Sequence, residues 1–152
     1  MTEKTIIIRN AGVDDIEDVY NIEKESFDSP WNYKNILHEL NLQFSIFIVA
    51  CIDETIAGYV IAWQVQDEIQ LNKIAVKRNY KRLGIGKRLL EKIIEISNPP
   101  VARVFLEVRE SNAEAQLFYR KLGFITTGFR KDYYKTDHAI LMEKRLPADE
   151  DK

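Results

Sequence analysis

The sequence predicts one α/β domain in which helices flank a mixed, mostly antiparallel sheet, in the order β-α-α-β-β-β-α-β-α-β-β. Three observations carry that expectation. Apolar residues change their spacing along the chain from strand-like to helical and back. Three runs rich in β-branched and aromatic residues follow one another between residues 44 and 76, parted only by short polar turns. At 152 residues, 45% hydrophobic and 30% charged, the chain can bury one real core but not two. The domain is placed at residues 1–147, with "ADEDK" (148–152) as a disordered acidic tail.

Each element has a local reason. "TIIIRN" (5–10) reads as a first strand. In "AGVDDIEDVYNIEKESF" the residues Val13, Ile16, Val19, Tyr20 and Phe27 fall at helical spacing, and acidic residues crowd the first turn, where the helix dipole favours them. "DSPW" breaks this helix, and Asn32 is placed to cap a second, short one, "YKNILHEL". "FSIFIVACID", "IAGYVIAWQV" and "IQLNKIAV" read as consecutive antiparallel strands, with turns at Asp53–Thr55 and Gln66–Glu68. Gly84 to Ser97 forms an amphipathic helix with Ile85, Leu89, Ile93 and Ile96 on one stripe, stopped by "NPP". "VARVFLEVR" is the next strand. Ser111 and Glu114 have the spacing of a capping box, so a helix starts after Ser111 and ends before Gly123. Two closing strands are expected near 124–130 and 136–146.

Composition excludes several classes of chemistry. Cys51 is the single cysteine, set in the apolar run "FIVACI", so neither an internal disulfide nor a cysteine metal cluster can form. His38 and His138 are the two histidines, and their placement supports neither a metal site nor a Ser-His-Asp triad, so no metal is expected. The N-terminal stretch has only three consecutive isoleucines, short of a signal segment or a membrane span, which predicts a soluble cytoplasmic protein without a membrane partner.

The most informative stretch is "KRNYKRLGIGKRLLEKII" (77–94). Lys77, Arg78, Lys81, Arg82, Lys87 and Arg88 gather there, although the whole chain carries a net charge of −2. The cluster lies at the mouth of a helix, where free backbone N–H groups and the dipole favour an anion such as a phosphate, and Gly84 and Gly86 permit close approach. It fits neither the P-loop pattern nor G-x-G-x-x-G, so the residues alone leave open a solvated basic turn and a phosphate cradle. The acidic balance of the rest argues against direct nucleic-acid binding.

"IAVKRNYKRLGIGKRLL" resembles the acetyl-CoA motif of the GCN5-related N-acetyltransferase (GNAT) superfamily, a strand, then [QR]-x-x-G-x-[GA], then a helix, with Lys81 standing at the Gln/Arg position. "LEVRESNAEAQLFYRKLGF" (106–124) is similar to the signature of the RimI-type N-terminal acetyltransferases within that superfamily, as are "IEKESFDSPW" (22–31) and "RKDYY" (130–134). The chain departs from their pattern at Lys73, where Asn or Ser is frequent, and at Asp137 and His138 of "DHAILM", where "EDA..M" is common.

The resemblance implies acetyl-CoA as co-substrate and a protein or peptide N-terminus as acceptor, specifically the N-terminal alanine of a small-subunit ribosomal protein. It implies that the backbone of Ile74, Ala75 and Val76 pairs with the pantetheine arm and polarises the thioester, that Arg82, Leu83, Gly84, Ile85, Gly86 and Lys87 hold the pyrophosphate, and that Asn112 contacts CoA. Glu107 shares a strand face with Phe105 and Arg109. Its residues alone leave it open between a base raised by apolar neighbours and a structural partner of Arg103 or Arg109. The resemblance makes Glu107 the general base, directly or through water, and Tyr119, otherwise a core aromatic, the general acid for the CoA thiolate. Glu23, Phe27, Trp31, Tyr133 and Tyr134 become candidates for the peptide groove, with Glu23 attracting the substrate ammonium. Two other readings stay open: the same fold acting on lysine side chains or a small amine, and a non-catalytic polyanion-binding module.

Overall fold

A computed structural model describes residues 5–134 and 137–147; the expected tail at 148–152 lies outside them. The elements follow the expected order: β1 (Ile6–Asn10), α1 (Ile16–Ser26), α2 (Tyr33–Glu39), β2 (Ser45–Ile52), β3 (Thr55–Val65), β4 (Glu68–Val76), α3 (Ile85–Glu95), β5 (Arg103–Arg109), α4 (Ala113–Lys121), β6 (Ile125–Tyr134) and β7 (Asp137–Arg145). The strands form one seven-stranded sheet in the order β1-β2-β3-β4-β5-β7-β6. All neighbours pair antiparallel except β4 and β5. No helix among the described residues is long and apolar enough to cross a membrane.

Both sheet faces are covered at its centre, which is why "SIFIVACI" and "IAGYVIA" read as continuous apolar runs rather than as alternations. On one face Ile85, Leu89 and Ile93 of α3 and Tyr119 of α4 pack with Ile48, Val60, Ile69, Val104 and Leu106. On the other, Ile16, Val19 and Ile22 of α1 and Ile36 of α2 pack with Val49, Tyr59, Ile61 and Ala75. Cys51 belongs to this second core and is buried. Ile96 falls beyond the last turn of α3 and is 43% exposed, so the apolar stripe of that helix ends one turn earlier than the sequence predicts.

The feature that positions the site is a fork. Strands β4 and β5 pair in parallel only at Glu68–Arg103, Ile69–Val104 and Gln70–Phe105. Past these pairs the strands carry no common ladder. The closed end is clamped by charge, because Arg103 donates to Glu68 at 3.0 Å and to Glu143 of β7 at 3.2 Å. The β4 limb is held against β3 and α3 at Gly58, where a Cβ would lie 2.9 Å from the Ala75 carbonyl oxygen and 3.3 Å from Ile85 Cγ2.

The start of α4 departs from expectation. Ser111 does not cap it: the Ser111 N–H and hydroxyl both donate to Asp137 at the start of β7. Asn112 caps the helix instead, accepting from the Ala115 N–H at 3.1 Å, and Glu114 lies 3.8 Å from Lys81 rather than turning back to close a box. Asn32 caps α2 as expected, accepting from Asn35 N–H at 2.8 Å.

Ahead of α1, Asp15 accepts from both terminal nitrogens of Arg9, at 2.7 and 2.9 Å, and from the Gly12 N–H at 2.7 Å. The guanidinium holds this carboxyl below its usual pKa. Two outcomes follow. Gly58→Ala should destabilise the fold by about 1–3 kcal/mol in urea titrations, since the facing atom is backbone and cannot swing away. The Arg9–Asp15 pair should contribute fully above the unfolded carboxyl pKa of about 3.9 and fade below it, so Asp15→Asn should flatten the acid limb of the stability–pH curve measured by thermal melts.

Candidate active site

At the end of β4 the chain passes through a turn in which Arg82 (φ 68°) and Gly84 (φ 78°) are both left-handed. Arg88 N–H is the first to bond back, to Gly84 O at 3.1 Å, so the N–H groups of residues 82–87 have no partner among the described residues. These groups, the dipole of α3 and the basic side chains around them form an anion cradle, which fits a pyrophosphate. Its two glycines serve different ends. Gly84 supplies the positive φ, and a Cβ there would meet nothing within 4 Å. Gly86 faces α4, where a Cβ would come 3.0 Å from Phe118 Cζ, so that position is also set by helix packing.

From the cradle backwards, Val76, Ala75 and Ile74 line the β4 limb of the fork, and their edge toward β5 is free of strand pairing. An extended ligand arm can add to that edge as a strand would. Tyr119 reaches this region from the α3–α4 side: it is 8% exposed, packed against Phe118 and Phe124, and burial alone raises its pKa. It therefore holds its proton at neutral pH, the state a proton donor needs. Asn112 spends its side-chain oxygen on the α4 cap, which leaves its amide NH2 as the group able to meet a ligand.

Glu107 lies on the opposite face of the sheet. Leu106 and Val108 point into the α3–α4 core, so Glu107 points away from it, with Phe105 and Arg109, as the alternation predicts. Its setting is not the apolar one anticipated, and its partner is neither Arg103 nor Arg109. Arg130 of β6 lies 3.3 Å away, Arg103 is taken by Glu68 and Glu143, and Arg109 stacks 4.2 Å from the Tyr134 ring centroid. Tyr133 packs edge-on to Tyr134 and lies under Arg130, which places both tyrosines on the Glu107 limb. Burial, and after it the Glu107 carboxylate, raise the pKa of Tyr134.

The β4 limb carries the other wall on this same face. Glu23 is wholly buried, accepts from the Tyr59 hydroxyl and from Trp31 N–H at 2.9 Å, and forms an ion pair with Lys73, whose Nζ lies 3.0 Å away. The charge of Glu23 is thus answered from inside the protein, contrary to the expectation that it draws a substrate ammonium. Phe27 and Trp31 flank the Lys73 ammonium, their ring centroids 4.0 and 5.6 Å from it. Sequence reasoning missed Arg130 and Tyr59 as partners because Arg130 meets Glu107 across β7 and Tyr59 of β3 meets Glu23 where α1 packs on the sheet; Lys73 was visible as a departure from the related pattern, not as a partner.

The structure thus gathers the sequence-predicted residues about one fork, but on two faces. Ile74, Val76, the cradle and Tyr119 belong to the α3–α4 side, and Ala75, Glu107, Glu23, Phe27, Trp31, Tyr133 and Tyr134 to the α1 side. The gap between β4 and β5 lies between them. A broad depression lined by Asn10, Ala11, Glu39 and Ser45 lies beyond the other end of α3 and holds none of these groups.

Comparison with known proteins identifies the family and the fold. The model of the Acetyltransferase (GNAT) family matches residues 16–124. A Bacillus subtilis (strain 168) relative, provisionally named a [ribosomal protein bS18]-alanine N-acetyltransferase, is 39% identical over 129 residues, covering 84% of this chain and 85% of its own. The crystal structure of the ribosomal-protein-S18-alanine N-acetyltransferase from Escherichia coli superposes with a TM-score of 0.85 at 30% identity, over 95% of this chain and 97% of that one. The Ard1 structure from Thermoplasma volcanium gives a TM-score of 0.87 at 27% identity, over 94% and 99%. The chain belongs to the GNAT family and is an N-acetyltransferase that takes its acetyl group from acetyl-CoA.

Proposed function

We propose that this enzyme acetylates the N-terminal α-amine of a cytoplasmic protein, and that its substrate is the N-terminal alanine of a small-subunit ribosomal protein. The observation that carries the reading is the position of Glu107: a carboxylate on one limb of the fork, on the face opposite the acetyl-CoA side, between two walls able to take an extended peptide. Near-full-length similarity to enzymes named for that reaction supports the choice of acceptor. Family membership removes the non-catalytic polyanion module from consideration.

The chemistry suits an α-amine. Its pKa of about 7.7–8.0 leaves part of it neutral near pH 7, whereas a lysine near 10.4 is almost wholly charged. Glu107, as the general base, takes one proton from the attacking nitrogen, directly or through one water, as the neutral amine adds to the thioester carbonyl. Backbone groups of residues 74–76 polarise that carbonyl and receive the developing oxyanion charge. The C–S bond then breaks, and Tyr119 gives its proton to the CoA thiolate. The residues at 82–87 and Asn112 hold the CoA, and Phe27, Trp31, Tyr133 and Tyr134 border the peptide.

Two measurements test this. Initial rates of CoA release with peptides beginning Ala, Ser or Met should require a free N-terminus and be highest with Ala, and Glu107→Gln should lower kcat by about 10²- to 10⁴-fold. Turnover that is indifferent to N-terminal blocking would move the acceptor to side chains. Gly84→Asp adds negative charge to the cradle and places a side chain at a left-handed φ of 78°, and should raise the acetyl-CoA KM at least about tenfold while the peptide KM changes little.

A further inference from the structure

The group around Glu23 has the chemistry of a cation receptor. A buried carboxylate forms its floor, the Phe27 and Trp31 rings its walls, and the Tyr59 hydroxyl and Trp31 N–H fix the carboxylate oxygens. Its parts come from α1, the loop that follows and β3, whereas the cation inside comes from β4, as the side chain of Lys73, 14% exposed. Receptor and occupant are thus separate parts of the fold.

We propose that Lys73 is a specificity-determining residue, the tethered occupant of a cation recess in the acceptor groove, which excludes acceptors whose first side chain is cationic. The place of the recess is what gives this reach. Lys73 pairs with Ile61 across β3–β4, so its side chain lies on the α1 face, three residues past the last β4–β5 pair. Glu107 lies on that same face, two residues past the last pair on the other limb. An amine approaching Glu107 from the α1 side passes beside the recess. With Lys73 in place, an ammonium or guanidinium meets like charge and no unanswered carboxylate, so it is rejected. With Lys73 shortened, Glu23 is a buried, uncompensated anion between two aromatic rings and recruits a cation from solution.

The role in acceptor choice rests on the proposed N-terminal acetyltransferase reading; the recess as a cation site does not, and the two are measured separately. Binding is read by thermal melts of Lys73→Ala with n-propylammonium chloride against equal sodium chloride. The variant should gain several degrees from the alkylammonium, while wild type and Glu23→Gln/Lys73→Ala gain nothing beyond the salt effect. Should Lys73→Ala be insoluble, its recovery on refolding with propylammonium, but not with sodium chloride, is the same test. Equal responses from all three proteins, or no recovery, would overturn the recess.

Selectivity is read as the ratio of kcat/KM for peptides beginning Ala and Lys. Lys73→Ala should narrow that ratio about tenfold relative to wild type, with the acetyl-CoA KM within about twofold, and Glu23→Gln/Lys73→Ala should restore it to within about threefold of wild type. An unchanged ratio in a variant that binds propylammonium would overturn the specificity role and leave the cation site standing.

Discussion

The structure depends on how briefly β4 and β5 pair. Parallel strands need a crossover, and here that crossover is α3, which must begin where β4 ends. A helix N-terminus with free N–H groups is therefore set at the mouth of the fork by connectivity alone. If the ladder ran on, the edge of residues 74–76 would be spent on backbone partners. The clamp of Arg103 on Glu68 and Glu143 sits at the closed end, so the strands are held together there and part beyond it.

Parting the strands also divides the chemistry. The α3–α4 side is apolar around Tyr119 and offers backbone donors, which suits an anionic carrier with a long uncharged arm. The α1 side is built from charge pairs and stacked guanidinium groups, Glu23–Lys73 on one limb and Glu107–Arg130 on the other. Each pair joins different elements, so each also fixes a limb to its surroundings: α1 to β4, and β5 to β6.

What the sequence revealed follows the range of the forces involved. Local signals were legible: the helical and strand periods, the Asn32 cap, the glycine turn and the alternation that aims Glu107 away from the core. The Ser111–Glu114 spacing was also local, yet it misled, because Asp137, far along the chain, takes the Ser111 hydroxyl and the cap passes to Asn112. The partners of Glu107 and Glu23 were not legible, since Arg130 and Lys73 meet them only once the sheet has formed. The resemblance named candidate residues but carried no information on which face of the fork each would occupy.

The contact between Gly86 and Phe118 has a consequence for length. Gly86 belongs to the cradle and Phe118 is the neighbour of Tyr119, so one aromatic ring resting on a bare backbone couples the two ends of the α3–α4 side. The protein thus contains a gauge: any carrier stretched from the anion cradle to the phenol is measured against a span fixed by the packing of two helices.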